Sequence, residues 1–264
     1  MATIAPTPAK DGGLPEFSIG GVRLHALTMD QAVHEVIRWR LAAEHHFVCV
    51  RDAHGIVRAQ REPELLGVHE AAGLVVTDGM PLVWRARSLG FSQAERICGR
   101  DLMLALCDKG RGHRLRHFFY GGAPGVAALL AEEMTRLYPG LKVAGWHSPP
   151  FRPLTVEEDR TICTEINASG ADIVWVGMST PTQEMWMSDC LPKLQSHALI
   201  GVGAAFDFHT GRTKSAPLWM QQIGLEWFFR ILQEPRRLLG RYLTVVPKFV
   251  YIVMKEALQP RHRR

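Results

Sequence analysis

Several short stretches of this chain place polar, chemistry-capable residues directly after apolar runs. Val48-Cys49-Val50 leads into Arg51-Asp52, and Val76-Thr77 leads into Asp78-Gly79. Phe119-Tyr120 leads into Gly121-Gly122, and Gly177-Met178 opens the run Ser179-Thr180-Pro181-Thr182-Gln183-Glu184. Downstream, Leu199-Ile200 and Val202 reach Gly203, and Asp207 follows between Phe206 and Phe208. A carboxylate at a strand end can accept a proton from a hydroxyl. Glycines before a helix let backbone amides approach a diphosphate, and the helix N-terminus adds partial positive charge. Each stretch also has a plain structural reading. Asp78-Gly79 can serve as a turn or helix cap. Gly121 to Gly125 can be an ordinary strand–helix turn, and Gln183-Glu184 a helix start after Pro181. The glycine loop matches neither GxGxxG nor GxxxxGK[ST], so it specifies neither a dinucleotide nor a nucleoside triphosphate.

The elements that position these residues alternate. Phe17–Leu27 reads as a hairpin turned at Gly20-Gly21. Thr28 is an N-cap for a helix over 29–43, followed by a strand over 46–50, helical segments over 55–62 and 64–72, and a strand over 74–77. A helix is expected over 81–88, with Pro81 in its first turn. The second half gives strands over 116–120, 142–146, 171–178 and 198–202, with helices over 124–138, 156–169 and 183–190. This alternation predicts an α/β fold built on a mainly parallel sheet. Ligands in such sheets bind beyond the carboxyl ends of the strands, which is where the polar stretches fall.

The C-terminal fifth differs in character. From Arg212 onward there are 11 Lys/Arg against 3 Asp/Glu, whereas the preceding 211 residues carry 20 against 23. The surplus lies beside Trp227-Phe228-Phe229 and includes Arg230, Arg236, Arg237 and Arg241. A solvated charged face is one reading. The other is a surface for an apolar, anionic partner, with apolar burial and attraction to anionic headgroups acting together. Trp227 fits either that surface or the core. Nucleic acid is disfavoured, because base-stacking aromatics on strands are missing. The most apolar stretch, Leu243 to Met254, is twelve residues long and contains Pro247 and Lys248, too short to cross a bilayer. It could lie on one.

At 264 residues the chain can hold one large domain, or one domain with an appendage. We expect a disordered lead-in over 1–16, an α/β domain over 17–216 and a basic helical appendage over 217–264. Residues 1–20 lack a signal-peptide pattern. The five cysteines are odd in number and show no CxxC spacing, and no HExxH occurs among the twelve histidines. No disulfide framework and no metal are expected, and a reducing cytoplasm is.

Together the stretches are more specific than any one of them. VVTDGMPLVW, ERICGRDL, FFYGGAPGV with YPGLKVAGW, WVGMSTPTQEMWM and GVGAAFDFHTGRTKSAPLWMQQIGLEWFFRILQEPRRLLGRYL occur in an order that resembles the WecG/TagA/CpsF glycosyltransferases, glycosyltransferase family 26. The resemblance covers about residues 45–243. It implies a Rossmann-like core with a membrane-meeting C-terminal appendage. It implies inverting transfer from a UDP-sugar to a polyprenyl-diphosphate-linked saccharide at the inner face of the membrane, without a metal or other cofactor. By motif, Asp78 is the expected general base and Arg96 a contact to sugar or diphosphate. Gly121 and Gly122 are the expected nucleotide-loop glycines, and Gln183 and Asp207 the expected donor-binding groups. Arg230, Arg237 and Arg241 would hold diphosphates.

The chain departs from the family pattern at Asp52, where an asparagine is common, at Val50 for a threonine, at Thr182 for a lysine and at Ser179 for a glycine. A carboxylate at Asp52 would repel a UDP diphosphate unless Arg51 or Arg96 offsets it, but it could accept bonds from sugar hydroxyls, and a neutral hexose donor is conceivable. Two other readings stand beside this one: a non-catalytic scaffold for lipid-linked sugars, and a Rossmann enzyme using NAD or S-adenosylmethionine. A homo-oligomer that buries the appendage off the membrane is a further hypothesis.

Overall fold

The computed structural model describes residues 13–258. The expected lead-in falls outside the described residues for 1–12, and its last residue, Glu16, already belongs to a strand. β1 (Glu16–Ile19) and β2 (Val22–His25) form an antiparallel hairpin closed by Gly20 and Gly21, both at positive φ. α1 (Met29–Ala42) follows, with Thr28 and Gln31 forming a reciprocal capping box.

The main sheet contains β3 (His46–Arg51), β4 (Leu74–Thr77), β5 (Arg116–Gly121), β6 (Lys142–His147), β7 (Ile173–Gly177) and β8 (Ala198–Gly201). Their order is β4-β3-β8-β7-β5-β6, and every pairing is parallel. All six carboxyl ends therefore lie along one edge, as the alternation predicts. Neighbouring strand residues feed opposite layers. Phe118, Tyr120, Val174 and Val176 join one core cluster, and Phe119, Ile173 and Trp175 join the other. Both faces of the central strands are thus buried, which explains their near-continuous apolar runs.

Helices cover the two faces. They are α2 (Ala53–Ala59), α3 (Pro63–Ala71), α4 (Met80–Ser88), α5 (Gly99–Lys109), α6 (Val126–Leu137), α7 (Val156–Ser169), α8 (Thr182–Cys190) and the short α9 (Ala205–His209). α2 begins two residues before its expected start because the Asp52 side chain accepts from the Gly55 amide and caps it. α6 begins two residues after its expected start, since Gly122 and Gly125 hold positive φ. α5 had no counterpart in the sequence reading. Cys98 precedes it without a side-chain capping bond to the backbone, and its first residue is a glycine, so the usual start signal is missing. That glycine is needed for contact: a Cβ on Gly99 would lie 2.9 Å from Val202 Cα.

The C-terminal segment comprises α10 (Leu218–Gln222), α11 (Glu226–Gln233) and α12 (Pro235–Leu258). α12 is one 24-residue helix that carries Pro247 inside it. Its Val245 and Phe249 are buried in the same core cluster as Phe17, Ile19 and Val57. At its far end Glu256 accepts a hydrogen bond from the Gly20 amide at 2.5 Å. A second stripe on the same helix, Leu239, Leu243, Val246, Val250 and Met254, is exposed. The spacing of four, three, four and four residues keeps those five side chains on one face. No helix among the described residues is long and apolar enough to cross a membrane.

Candidate active site

Two strand ends and the C-terminal helices enclose a cavity of about 260 Å³. β3 delivers Asp52, with Ala53 and His54 next to it, and β4 delivers Asp78 and Gly79. The opposite wall is Gln221, Glu226, Trp227 and Arg230 with Arg241, Tyr242, Val245 and Val246, and Arg96 completes the lining. Asp78 and Arg96 hang from the same residue of β4. The Ile97 amide donates to the Thr77 carbonyl at 2.7 Å, and the Thr77 hydroxyl donates to the Glu95 carbonyl at 2.9 Å. On its other side, the Asp78 amide donates to the Arg51 carbonyl at 2.7 Å.

The charges in this cavity are arranged unevenly. Arg96 Nη1 lies 3.9 Å from Asp78 Oδ1 and 2.6 Å from Glu226 Oε2. Gln221 Oε1 accepts from Arg96 at 2.9 Å and from Arg100 at 2.8 Å. Arg96 and Arg100 are thereby tied to the C-terminal segment. Arg230 and Arg241 make no ion pair among the described residues, and the buried Nε of each has no hydrogen-bond partner. Their guanidinium groups lie 5.8 and 5.4 Å from the ring centres of Phe208 and Tyr242. They are cations held on aromatic faces with their donors available.

Burial pushes the Asp78 carboxyl up to about 7; Arg96 opposes the shift, while Asp52 and Glu226 add to it. Its side chain keeps 36% of its exposure, toward the cavity it lines, so the shift shrinks as water fills that space while its direction holds. A carboxyl titrating near neutrality, next to a space able to admit a hydroxyl, suits a general base. Burial also lowers the neighbouring His54, with Asp52 opposing.

Other expected site residues fall elsewhere. Gly121 and Gly122 sit at the end of β5, at φ of 131° and 72°. A Cβ on Gly121 would come 2.5 Å from the Gly177 carbonyl oxygen, so the close approach of β5 to β7 requires glycine. Gly122 lines a second space of about 510 Å³ at the ends of β5 and β7, with Tyr120, Ser179, Thr182 and Trp186. Gln183 is buried, and both ends of its amide are engaged: Nε2 donates to Glu184 at 2.7 Å, and Oε1 accepts from the Gly203 amide at 3.0 Å. Asp207 lies on α9, half exposed and 3.5 Å from Arg212, and lines neither space. Arg237 is exposed and paired with Glu234 at 2.6 Å. Arg51 makes no ion pair with Asp52, because its guanidinium is bound to Glu184 inside the protein. Trp227 is 40% exposed at the cavity edge, between the two readings of it.

His54, Gln221, Glu226 and Tyr242 are cavity residues that the sequence reading passed over. Glu226 offered the one available signal, an isolated acid at a helix start within a strongly basic stretch. A further depression between the hairpin and α12, lined by Gly20, Gln60, Lys248 and Tyr251, contains no strand-end residue of the main sheet.

The family model for the glycosyl transferase WecG/TagA/CpsF family matches residues 17–263. A curated relative from Bacillus spizizenii (strain W23), N-acetylglucosaminyldiphosphoundecaprenol N-acetyl-beta-D-mannosaminyltransferase, is 32% identical over 197 residues. That match covers 75% of this chain and 74% of the relative. With the parallel sheet and the strand-end cavity, a match across nearly the whole chain establishes that the protein belongs to the WecG/TagA/CpsF family of glycosyltransferases.

Proposed function

We propose that this chain transfers a sugar from a UDP-sugar to a saccharide carried on a polyprenyl diphosphate, with inversion, in the synthesis of a bacterial polysaccharide. The observation that carries the reading is the cavity that sets Asp78 and Arg96 opposite the unpaired Arg230 and Arg241. Asp78 takes the proton from the acceptor hydroxyl as that oxygen attacks the anomeric carbon. The bond from that carbon to the UDP oxygen breaks on the opposite face, and the leaving diphosphate takes the electron pair. Arginines that stay charged at every working pH receive the diphosphates of donor and acceptor, so transfer proceeds without a metal. The name of the Bacillus relative supports a diphosphate-linked N-acetylglucosamine as acceptor and an N-acetylmannosamine donor as the first to try.

The membrane reading is supported by the second stripe of α12. A helix that buries one apolar stripe in the protein and exposes another has an unpartnered surface. Trp219 and Ile223 add to the exposed apolar area, and Lys248 and Lys255 lie on the same helix as that stripe. We infer peripheral attachment to an anionic leaflet.

The test is initial-rate transfer with UDP-sugars and a polyprenyl-diphosphate-linked acceptor, with and without a metal chelator. Asp78→Asn should lower kcat by about 10²–10⁴, the range general-base catalysis supplies, while UDP still raises the melting temperature. Normal turnover in that variant removes Asp78 as the base. Absence of transfer from every UDP-sugar, with no stabilisation by UDP, removes the donor class.

A further inference from the structure

Beneath the strand ends lies an ion pair that no ligand can reach. Arg51, the last residue of β3, is 1% exposed, and Glu184 in α8 is 0% exposed. Arg51 Nη2 donates to Glu184 Oε1. The same oxygen accepts from Gln183 Nε2 at 2.7 Å and from the Thr180 hydroxyl at 3.2 Å. Gln183 in turn holds the Gly203 amide at 3.0 Å, and the Arg51 carbonyl holds the Asp78 amide at 2.7 Å. One connected set of bonds therefore joins the ends of β3 and β4, the β7–α8 loop and the turn after β8.

The fold makes room for this set at two glycines that are not at positive φ. A Cβ on Gly55 would lie 2.9 Å from Arg51 Nη1 and 3.1 Å from its Cδ. A Cβ on Gly201 would lie 3.1 Å from the Gln183 carboxamide. Helical Gly55 costs stability relative to alanine, so a reason other than stability is needed for it. The pair itself is a poor stabiliser. Arg51 Nε and Glu184 Oε2 are buried without partners, and an incompletely satisfied buried pair recovers little of its desolvation cost. Nor is the pair among the leading influences on the Asp78 carboxyl, which are burial, Arg96, Asp52, Glu226 and Arg100.

What remains is geometry. We propose that Arg51 and Glu184 are positioning residues: clamped together, they fix the backbone of β3 and, through the Arg51 carbonyl, the placement of Asp78 relative to the loops around the second cavity. The proposal rests on the reading of Asp78 as the base. It assigns a role to a residue, Arg51, that touches neither cavity, and explains why a charge is kept where an apolar side chain would pack.

The experiment is the double substitution Arg51→Met with Glu184→Met. Replacing both partners leaves no unpaired charge, which offsets the acceptor lost to Gln183 and Thr180, so the variant is expected to fold and to melt near the wild-type temperature. The expected result is a fall in kcat of about 10- to 100-fold, the scale of a misplacement near 1 Å. The donor KM and the acid limb of the pH profile should stay in place. Wild-type kcat in a fully folded double variant overturns the proposal.

Should that variant fail to fold, Gly55→Ala keeps both charges and presses directly on the Arg51 guanidinium. It should lower kcat while the protein stays folded at the assay temperature, and an unchanged kcat overturns the proposal equally. Asp78→Asn, run in the same assay, reports separately on the base. If it retains turnover, that reading fails whatever the other variants do.

Discussion

Replacing Arg96 by glutamine removes the cation nearest the proposed base while keeping donors for a sugar hydroxyl. The Arg96–Asp78 separation is 3.9 Å. Two unit charges at about 4 Å are worth ~1 kcal/mol in water and ~4 kcal/mol at an effective dielectric of about 20. The lower figure applies here, since Arg96 also faces Glu226 at 2.6 Å and Asp101 at 3.6 Å, and Asp78 is partly solvated. That corresponds to a rise of about 0.7 pK units, because losing a cation disfavours the carboxylate. Glu226 loses its closest partner in the same step, and its freed charge pushes Asp78 in the same direction.

Asp78 should therefore titrate about one unit higher in the variant than in the wild type, for which burial sets an upper bound of about 7. At pH 7 the loss in kcat/KM is then at most about fivefold, and it grows toward about tenfold on the acid side of the limb. The loss should fade as the pH rises beyond the new limb, leaving only what Arg96 contributes to ligand binding. Initial rates measured from about pH 5.5 to 9.5 read the limb directly. An acid limb that stays at its wild-type position, with an equal loss at every pH, would refute the electrostatic reasoning and leave Arg96 as a ligand contact alone.

Arg230→Gln and Arg241→Gln should each raise KM by about 10-fold or more, the scale of a charge-assisted bond to phosphate, with little change in melting temperature because neither cation has an ion-pair partner to strand. Unchanged steady-state constants in both would remove them from the diphosphate site. Leu243→Asp together with Val250→Asp places two charges on the exposed stripe of α12. Sedimentation with anionic phospholipid vesicles should drop sharply, and turnover of a water-soluble acceptor should not. Undiminished vesicle binding would mean that a different surface meets the membrane.

The scaffold of this site was legible in the sequence because burial on both faces of a parallel sheet leaves apolar runs that end abruptly in polar residues. Asp78, Arg96, Arg230 and Arg241 were singled out by the order of motifs, and all four line one cavity. Gln183 was found by the same route, but its environment was not visible: whether a side chain turns toward a ligand or into the core depends on Gly201 and Gly203, about twenty residues away. The Arg51–Glu184 pair spans 133 residues, a separation at which no local spacing rule operates. α5 was missed because its start carries no capping signal, although Leu102, Met103 and Leu106 line one face. α12 also runs through Pro247. Packing of Val245 and Phe249 on either side holds the helix against the core.

Val246 and Trp227 line the cavity and remain 46% and 40% exposed, which places them at its rim. α12, about 36 Å long at 1.5 Å per residue, is anchored at Val245 beside the cavity and at Glu256 on the first hairpin. A wall fixed at two points does not open like a door. On the reading above, a lipid-linked acceptor reaches the base by sliding its diphosphate past these two side chains while its tail stays in the leaflet. On that reading the search for substrate runs in two dimensions, and the rim of the cavity would set the depth at which the protein rides in the membrane.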